Sequence, residues 1–215
     1  MSIDREVVAY HEAGHAVAAH ALELTVDHIT IVPDGDTSGL VIHDYGCDMT
    51  DVINGSLDDD RLSSVEAAAK RQWVLERAAI VAMSGEVAQR RFRPDSVTEE
   101  HGDGDRFEIY KAMRHLVGDY EDRPPLVDAW ERALLLRAEQ LIDQYWPRVA
   151  WLAAVLLQRL TLDDAVDIKH TILDGDIPPA YRGKVSAHHS HRVRGADGVA
   201  WKLVRPLGQC VGVLA

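Results

Sequence analysis

YHEAGHAVAAHAL, residues Tyr10 to Leu22, is the stretch on which the reading of the whole chain turns. It holds His11, Glu12 and His15 in the order HExxH, with one glycine, Gly14, and no proline. The flanking Val7, Val8, Ala9, Ala16, Val17, Ala18, Ala19 and Leu22 are apolar and predict a buried helix. Residues four apart share a helix face, so the two imidazoles converge on one point. Zn²⁺ suits such a pair, since it accepts neutral imidazole nitrogen and tolerates an open fourth position. Glu12 then stands beside the metal as the base that takes a proton from a water the metal activates. The plainer alternative is a core helix with two satisfied histidines and a solvent-facing glutamate. Against it, two His and a Glu inside a buried helix are costly without a partner.

Outward from this stretch, the first helix is expected over Ile3 to Leu24 with Asp4 as N-cap. The β-branched runs His28–Val32 and Ser38–His43, separated by the turn Pro33-Asp34-Gly35-Asp36, predict a β-hairpin. Tyr45 to Asp60 is polar and reads as a loop. Ser63 and Glu66 have capping-box spacing and open a long helix to about Phe92, with Val74, Ile80, Val81, Val87 and Ala88 as core candidates. Gly85 weakens that helix unless it permits a close crossing with a neighbour. Arg93 to Gly104 breaks it, and Asp105 to Val117 follows as a helix with Ile109, Met113, Leu116 and Val117 at helical spacing.

Three further helices are expected over Leu126–Tyr145, Pro147–Arg159 and Leu162–Leu173. Pro147 reads as a first-turn proline and Thr161 as an N-cap. The fold class is therefore mainly α (α+β), with a small β-hairpin or sheet near the HExxH helix. One domain is expected over residues 1–179. A basic, His-containing tail follows over 180–215, in which His188, His189 and His191 read as a polar run rather than a metal site.

Composition bounds the rest. The 215 residues are 47% hydrophobic, enough for one core, and the net charge of −12 weighs against general nucleic-acid binding. From Tyr181 onward six basic residues meet one acidic residue, Asp197, so the acidity lies in the body of the chain. No run approaches the roughly 18 apolar residues of a membrane span. The opening MSIDREVVAYHE lacks the order of a signal peptide. Cys47 and Cys210 are far apart and make no disulfide framework, which fits a cytoplasmic location.

A catalytic zinc normally has three protein ligands, and two His give only part of a site. The extended pattern HExxHxxGxxH would need Gly at 18 and His at 21, where this chain has Ala18 and Ala21. His20 lies about 180° around the helix from His11. The third ligand must come from later in the chain.

VAYHEAGHAVAAHAL followed by VDHITIVPDGDTSGLVIH resembles the start of the peptidase domain of the FtsH family, peptidase family M41. MSGEVAQRRF is similar to that family's GGRAAEExxFG helix, with Gln89 where an acidic residue is usual. HGDGDRFEIYKAMRHLV is similar to its TGASNDLERATxIARxMV segment, and Thr161-Leu162-Asp163 to its TLDxxxI start. The resemblance spans roughly Val7 to Leu173. By position it implies that the metal-binding Asp is Asp105, with Asp103 as runner-up and Glu86 or His101 as outsiders. Gly104 stands where Asn is usual, Arg106 replaces an apolar residue, and Gly102 is one position out of register.

The resemblance implies a zinc metallopeptidase cutting unfolded or flexible polypeptides, with Zn²⁺ on His11, His15 and Asp105 and with Glu12 as the base. The chain contains no GxxxxGK[ST] phosphate loop, so ATP-driven unfolding is expected to need a separate partner ATPase. Two other functions fit the same residues: a catalytically silent zinc-containing binding module, and a zinc hydrolase of a non-peptide amide. Oligomeric state is not legible.

Overall fold

The structure, a computed structural model, describes residues 4–35, 37–47, 49–54, 63–97, 103–117 and 124–173. The tail from 180, the boundary of the expected domain at 179, the three tail histidines, Cys210 and His101 lie outside the described residues.

Helix α1 spans Arg5–Ala21 and is capped by Asp4, whose side chain accepts from the Glu6 N–H at 3.0 Å. It stops three residues short of the expected end. Glu23 takes a left-handed φ of 63°, which a right-handed helix cannot continue, and the Leu24 N–H turns back to the Ala19 carbonyl. From Val8 to Ala19 the helix is buried apart from Tyr10 and His11. An apolar helix with few charged positions is stable only inside a protein.

The reversal at Glu23 feeds β1 (Thr25–Thr30), which pairs antiparallel with β2 (Leu40–Asp44) in the register Thr25↔Asp44 to Thr30↔Leu40. This is the expected hairpin with shifted ends and a bulge between Val26 and His28. A third strand, β3 (Thr161–Leu162), pairs on the other side of β1, giving the order β2-β1-β3. The expectation that Thr161 caps a helix is thereby corrected. Leu160, at φ 66°, turns the chain out of the preceding helix, and Thr161 hydrogen-bonds across the sheet to Thr30. Helix α6 (Ala165–Leu173) starts later, capped by Asp164, whose carboxylate accepts from the Asp167 N–H.

Two further expectations are corrected. Within Tyr45–Asp60, read as loop, the residues Met49–Asn54 form a short helix, α2, whose Val52 is fully buried against the neighbouring helices. The two helices expected on either side of Trp146 are one, α5 (Pro124–Arg159), with Pro147 inside it. Proline there forfeits the bond to the carbonyl of Asp143, an exposed residue. Ile142, Val149 and Leu152 on both sides of it are buried in one core, and that burial outweighs a single solvated carbonyl.

Helix α3 (Ser64–Phe92) begins with the full capping box: Ser63 Oγ accepts from the Glu66 N–H, and Glu66 accepts from the Ser63 N–H at 2.8 Å. A 3-10 turn at Pro94–Ser96 ends it, and α4 (Asp103–Val117) follows. One core cluster surrounds α1 with β1, α5 and α6, and a second joins α2, α3, α4 and α5. α1 is thus clasped between α3, α5 and the sheet.

Candidate metal centre

The seam between α1 and α3 is unusually close. A Cβ on Gly14 would stand 2.6 Å from both the Ser84 carbonyl oxygen and the Ala88 Cβ, so only glycine fits there. Next to Ser84 in the chain, Gly85 of α3 faces the imidazoles. A Cβ at that position would overlap Nε2 of His15 and approach Nε2 of His11 to 2.8 Å. The cost of a glycine inside a helix is offset here by room for two rings.

The rings are held by their far nitrogens. Nδ1 of His15 donates to the Val81 carbonyl at 2.8 Å. Nδ1 of His11 donates to Oε1 of Gln89 at 2.9 Å, and the Gln89 amide N–H₂ donates onward to the Ser96 carbonyl at 3.0 Å. Val81, Gly85 and Gln89 are four residues apart and therefore line one face of α3. With Nδ1 committed as donor on each ring, the lone pair of each neutral imidazole lies on Nε2. The two Nε2 atoms face one another at 2.9 Å, and Oδ2 of Asp105 stands 2.9 Å from His11 Nε2 and 3.3 Å from His15 Nε2.

With both rings neutral, three electron-pair donors meet with no hydrogen between them and call for a cation. Four donors about 2.0–2.1 Å from a tetrahedral zinc stand roughly 3.3 Å from one another, so two nitrogens and a carboxylate oxygen at this spacing fit the ion and leave its fourth position open. The electrostatics agree. Burial opposes charge on His15, yet the Asp105 carboxylate outweighs it and lifts the imidazole to a pKa of about 9. Burial likewise opposes charge on Asp105, but His15 and His11 hold its carboxyl well below the usual carboxylate range. The cluster draws positive charge, whether a proton or a metal.

Glu12 is 6% exposed, and burial raises its pKa against the opposing pull of His15 and His11. Its carboxylate lies against Gly39, where a Cβ would come within 2.5 Å of Oε1. The strand β2 therefore starts beside this carboxylate. Of the outsiders for the third ligand, Glu86 pairs with Arg90 on the helix surface. Among the described residues, His11, His15 and Asp105 form the group whose ligand atoms lie within 4.8 Å of one another.

Sequence reasoning marked Gly85 for a close crossing, which the structure shows, but did not place Val81, Gly85 or Gln89 behind the rings. The Val81 carbonyl, Gly85 and the Gln89 amide form a row at i, i+4 and i+8 on α3. A glycine and a glutamine among the buried positions of α3 were the available signal. His43 on β2 was also missed. Among the described residues neither buried ring nitrogen has a hydrogen-bond partner, and the ring meets Tyr45 edge-on at 4.7 Å.

No family model matches the chain. It is 26% identical over 197 residues to the ATP-dependent zinc metalloprotease FtsH of Lactococcus lactis, a match covering 81% of this chain and 27% of that protein. To the protein of the same name from Thermus thermophilus it is 54% identical over 41 residues, 18% of this chain and 7% of the relative. The chain thus spans about a quarter or less of the curated relatives it matches. The similarity supports an FtsH-related region in a zinc metalloprotease setting. Among the described residues no helix is long and apolar enough to cross a membrane.

Proposed function

We propose that this chain is a zinc-dependent metalloendopeptidase of the FtsH-like M41 kind, acting on unfolded or flexible polypeptide. One observation carries the proposal: two oriented Nε2 lone pairs and the Asp105 carboxylate converge within 3.3 Å beside the buried Glu12. In this reading His11, His15 and Asp105 hold Zn²⁺ and Glu12 is the catalytic base. The peptidase domain covers residues 1–179, with the basic segment 180–215 apart from it. Any unfolding of the substrate is supplied by an ATPase activity outside these 215 residues, and the cytoplasm is the proposed location.

Bound zinc supplies Lewis-acid chemistry, making water nucleophilic near neutral pH and polarising the scissile carbonyl. Everything else falls to the chain. Glu12, with its affinity for protons raised by burial, takes one proton from the attacking water and delivers it to the leaving amine as the C–N bond breaks. β2 pairs only with β1 among the described strands, so its outer edge can accept an extended peptide by strand addition. A substrate on that edge would run past Gly39 and so past Glu12. Leu40 and Ile42 point outward from the strand and are about half exposed, offering apolar contact to alternate residues of such a peptide.

The test is digestion of an unfolded model protein with zinc present, comparing wild type with Glu12→Gln. The substitution keeps the shape and removes the base, so cleavage is expected to fall by about 10²–10⁴ while zinc content is retained. If wild type and variant both hold zinc and neither cuts, general proteolysis is the wrong assignment, and the silent module or the hydrolase of another amide takes its place.

A further inference from the structure

We propose that Gln89 is a positioning residue that fixes the metal-ready tautomer of His11, and that the turn after α3 holds Gln89 in the orientation this requires. The inference rests on the zinc-site reading and adds to it a residue that touches neither metal nor substrate.

Gln89 is a buried amide, 4% exposed, with two partners of opposite kind. Its oxygen accepts from Nδ1 of His11 at 2.9 Å and its nitrogen donates to the Ser96 carbonyl at 3.0 Å. Flipping the amide would set its oxygen against the Ser96 carbonyl and its N–H₂ against Nδ1. Ser96 O is thus the atom that decides which way Gln89 points, and Gln89 decides which nitrogen of His11 keeps its hydrogen.

The turn that carries Ser96 is pinned at both ends. Ser96 N–H and Oγ both bond to the Arg93 carbonyl, and the Arg93 guanidinium pairs with Asp4 and Glu6 at the start of α1. The helix bearing His11 and the turn orienting its support are therefore tied together outside the site.

The alternative tautomer is well placed to block the site. With hydrogen on Nε2, His11 would donate directly to Asp105 Oδ2, 2.9 Å away. That bond would consume a lone pair from each of two ligands at once. Gln89 removes this state from competition by offering Nδ1–H a buried acceptor that meets no other donor among the described residues.

The experiment reads the tautomer without metal and the affinity with it. In ¹⁵N-imidazole NMR of the metal-free protein, read on the neutral ring, His11 is expected as the Nδ1–H form. Gln89→Met, of similar volume and without an acceptor, is expected to move it to Nε2–H. Zinc affinity, by chelator competition, is then expected to fall about 10–100-fold. Gln89→Glu restores an acceptor and is expected to keep Nδ1–H, while its second oxygen opposes Ser96 and lowers the melting temperature. A wild-type His11 in the Nε2–H form overturns the inference without any variant. So does a folded Gln89→Met that keeps both Nδ1–H and wild-type affinity. Failure of the zinc reading is separate: it would show as His15→Ala binding zinc as tightly as wild type, whatever the tautomer.

Discussion

α1 is gripped by two long helices that treat it differently. Against α3 the contact is made by glycines, carbonyls and an amide: Gly14 against Ser84 and Ala88, Gly85 against both imidazoles, Gln89 and Val81 on their Nδ1 atoms. Against α5 it is made by bulk. Ile142, Val149, Leu152 and Leu156 are fully buried in the cluster that surrounds α1, and Trp146 stacks on Tyr10 at 5.5 Å. An interface of bulk yields gradually, since side chains can repack around a loss. An interface of close backbone approach has no side chain to rearrange. The same helix therefore meets bulky side chains on one neighbour and its chemistry on the other.

The distinction can be broken by substitutions on the two sides. Leu152→Ala should carry the largest cost, about 2–5 kcal/mol in denaturant unfolding, because it empties a fully buried site. If the two sides of α1 act independently, zinc affinity of the folded variant should stay within about twofold of wild type. Loss of zinc in step with stability would mean that the two sides of α1 are not separable.

Gly85→Ala should do the reverse. Alanine favours the helix by about 1 kcal/mol, so the metal-free protein should melt no lower than wild type by more than a few degrees. The added methyl displaces the His15 ring, and chelator competition should show zinc affinity reduced on the order of a hundredfold. Equal affinity would refute the claim that this glycine is kept for the rings.

A smaller effect extends the contrast to the sheet. Burial pushes the His43 imidazole down to a pKa of about 4, with His15 adding to the shift and Asp27, Asp44 and Glu108 opposing it. The unfolded chain, near 6.5, then binds this proton more tightly than the folded one. The stability from keeping His43 neutral is thus complete above about pH 6.5 and is lost as pH falls toward 4. Between roughly pH 7 and pH 5 the loss should be about 2 kcal/mol. His43→Phe should flatten that slope in unfolding titrations, and an unchanged slope would assign it to other groups.

What was legible in the sequence was what is local. HExxH, the capping box at Ser63 and Glu66, and the hairpin are set by residues a few positions apart, and each stands in the structure. Asp105 lies 94 residues from His11, and no spacing rule reaches that far. It came only from family resemblance, and the structure brings its carboxylate to the two imidazoles. Where local signals misled, tertiary burial had overridden them. Pro147 reads as a helix start, but the core on both sides holds α5 together through it. Thr161 reads as a cap, but β1 had an edge to fill. Val52 draws a polar-looking stretch into a turn of helix. The support behind the imidazoles was hidden differently, because a carbonyl such as that of Val81 belongs to every residue and announces nothing in a sequence.

The distance between His11 and Asp105 also sets a clock. At about 5–20 residues per second, roughly 5–20 s of synthesis separate the two imidazoles from their carboxylate. During that interval His11 and His15 lack the carboxylate that completes their group. A three-ligand group can therefore exist only after Asp105 is made, and α5, whose Ile142, Val149 and Leu152 pack in the core around α1, is made later still.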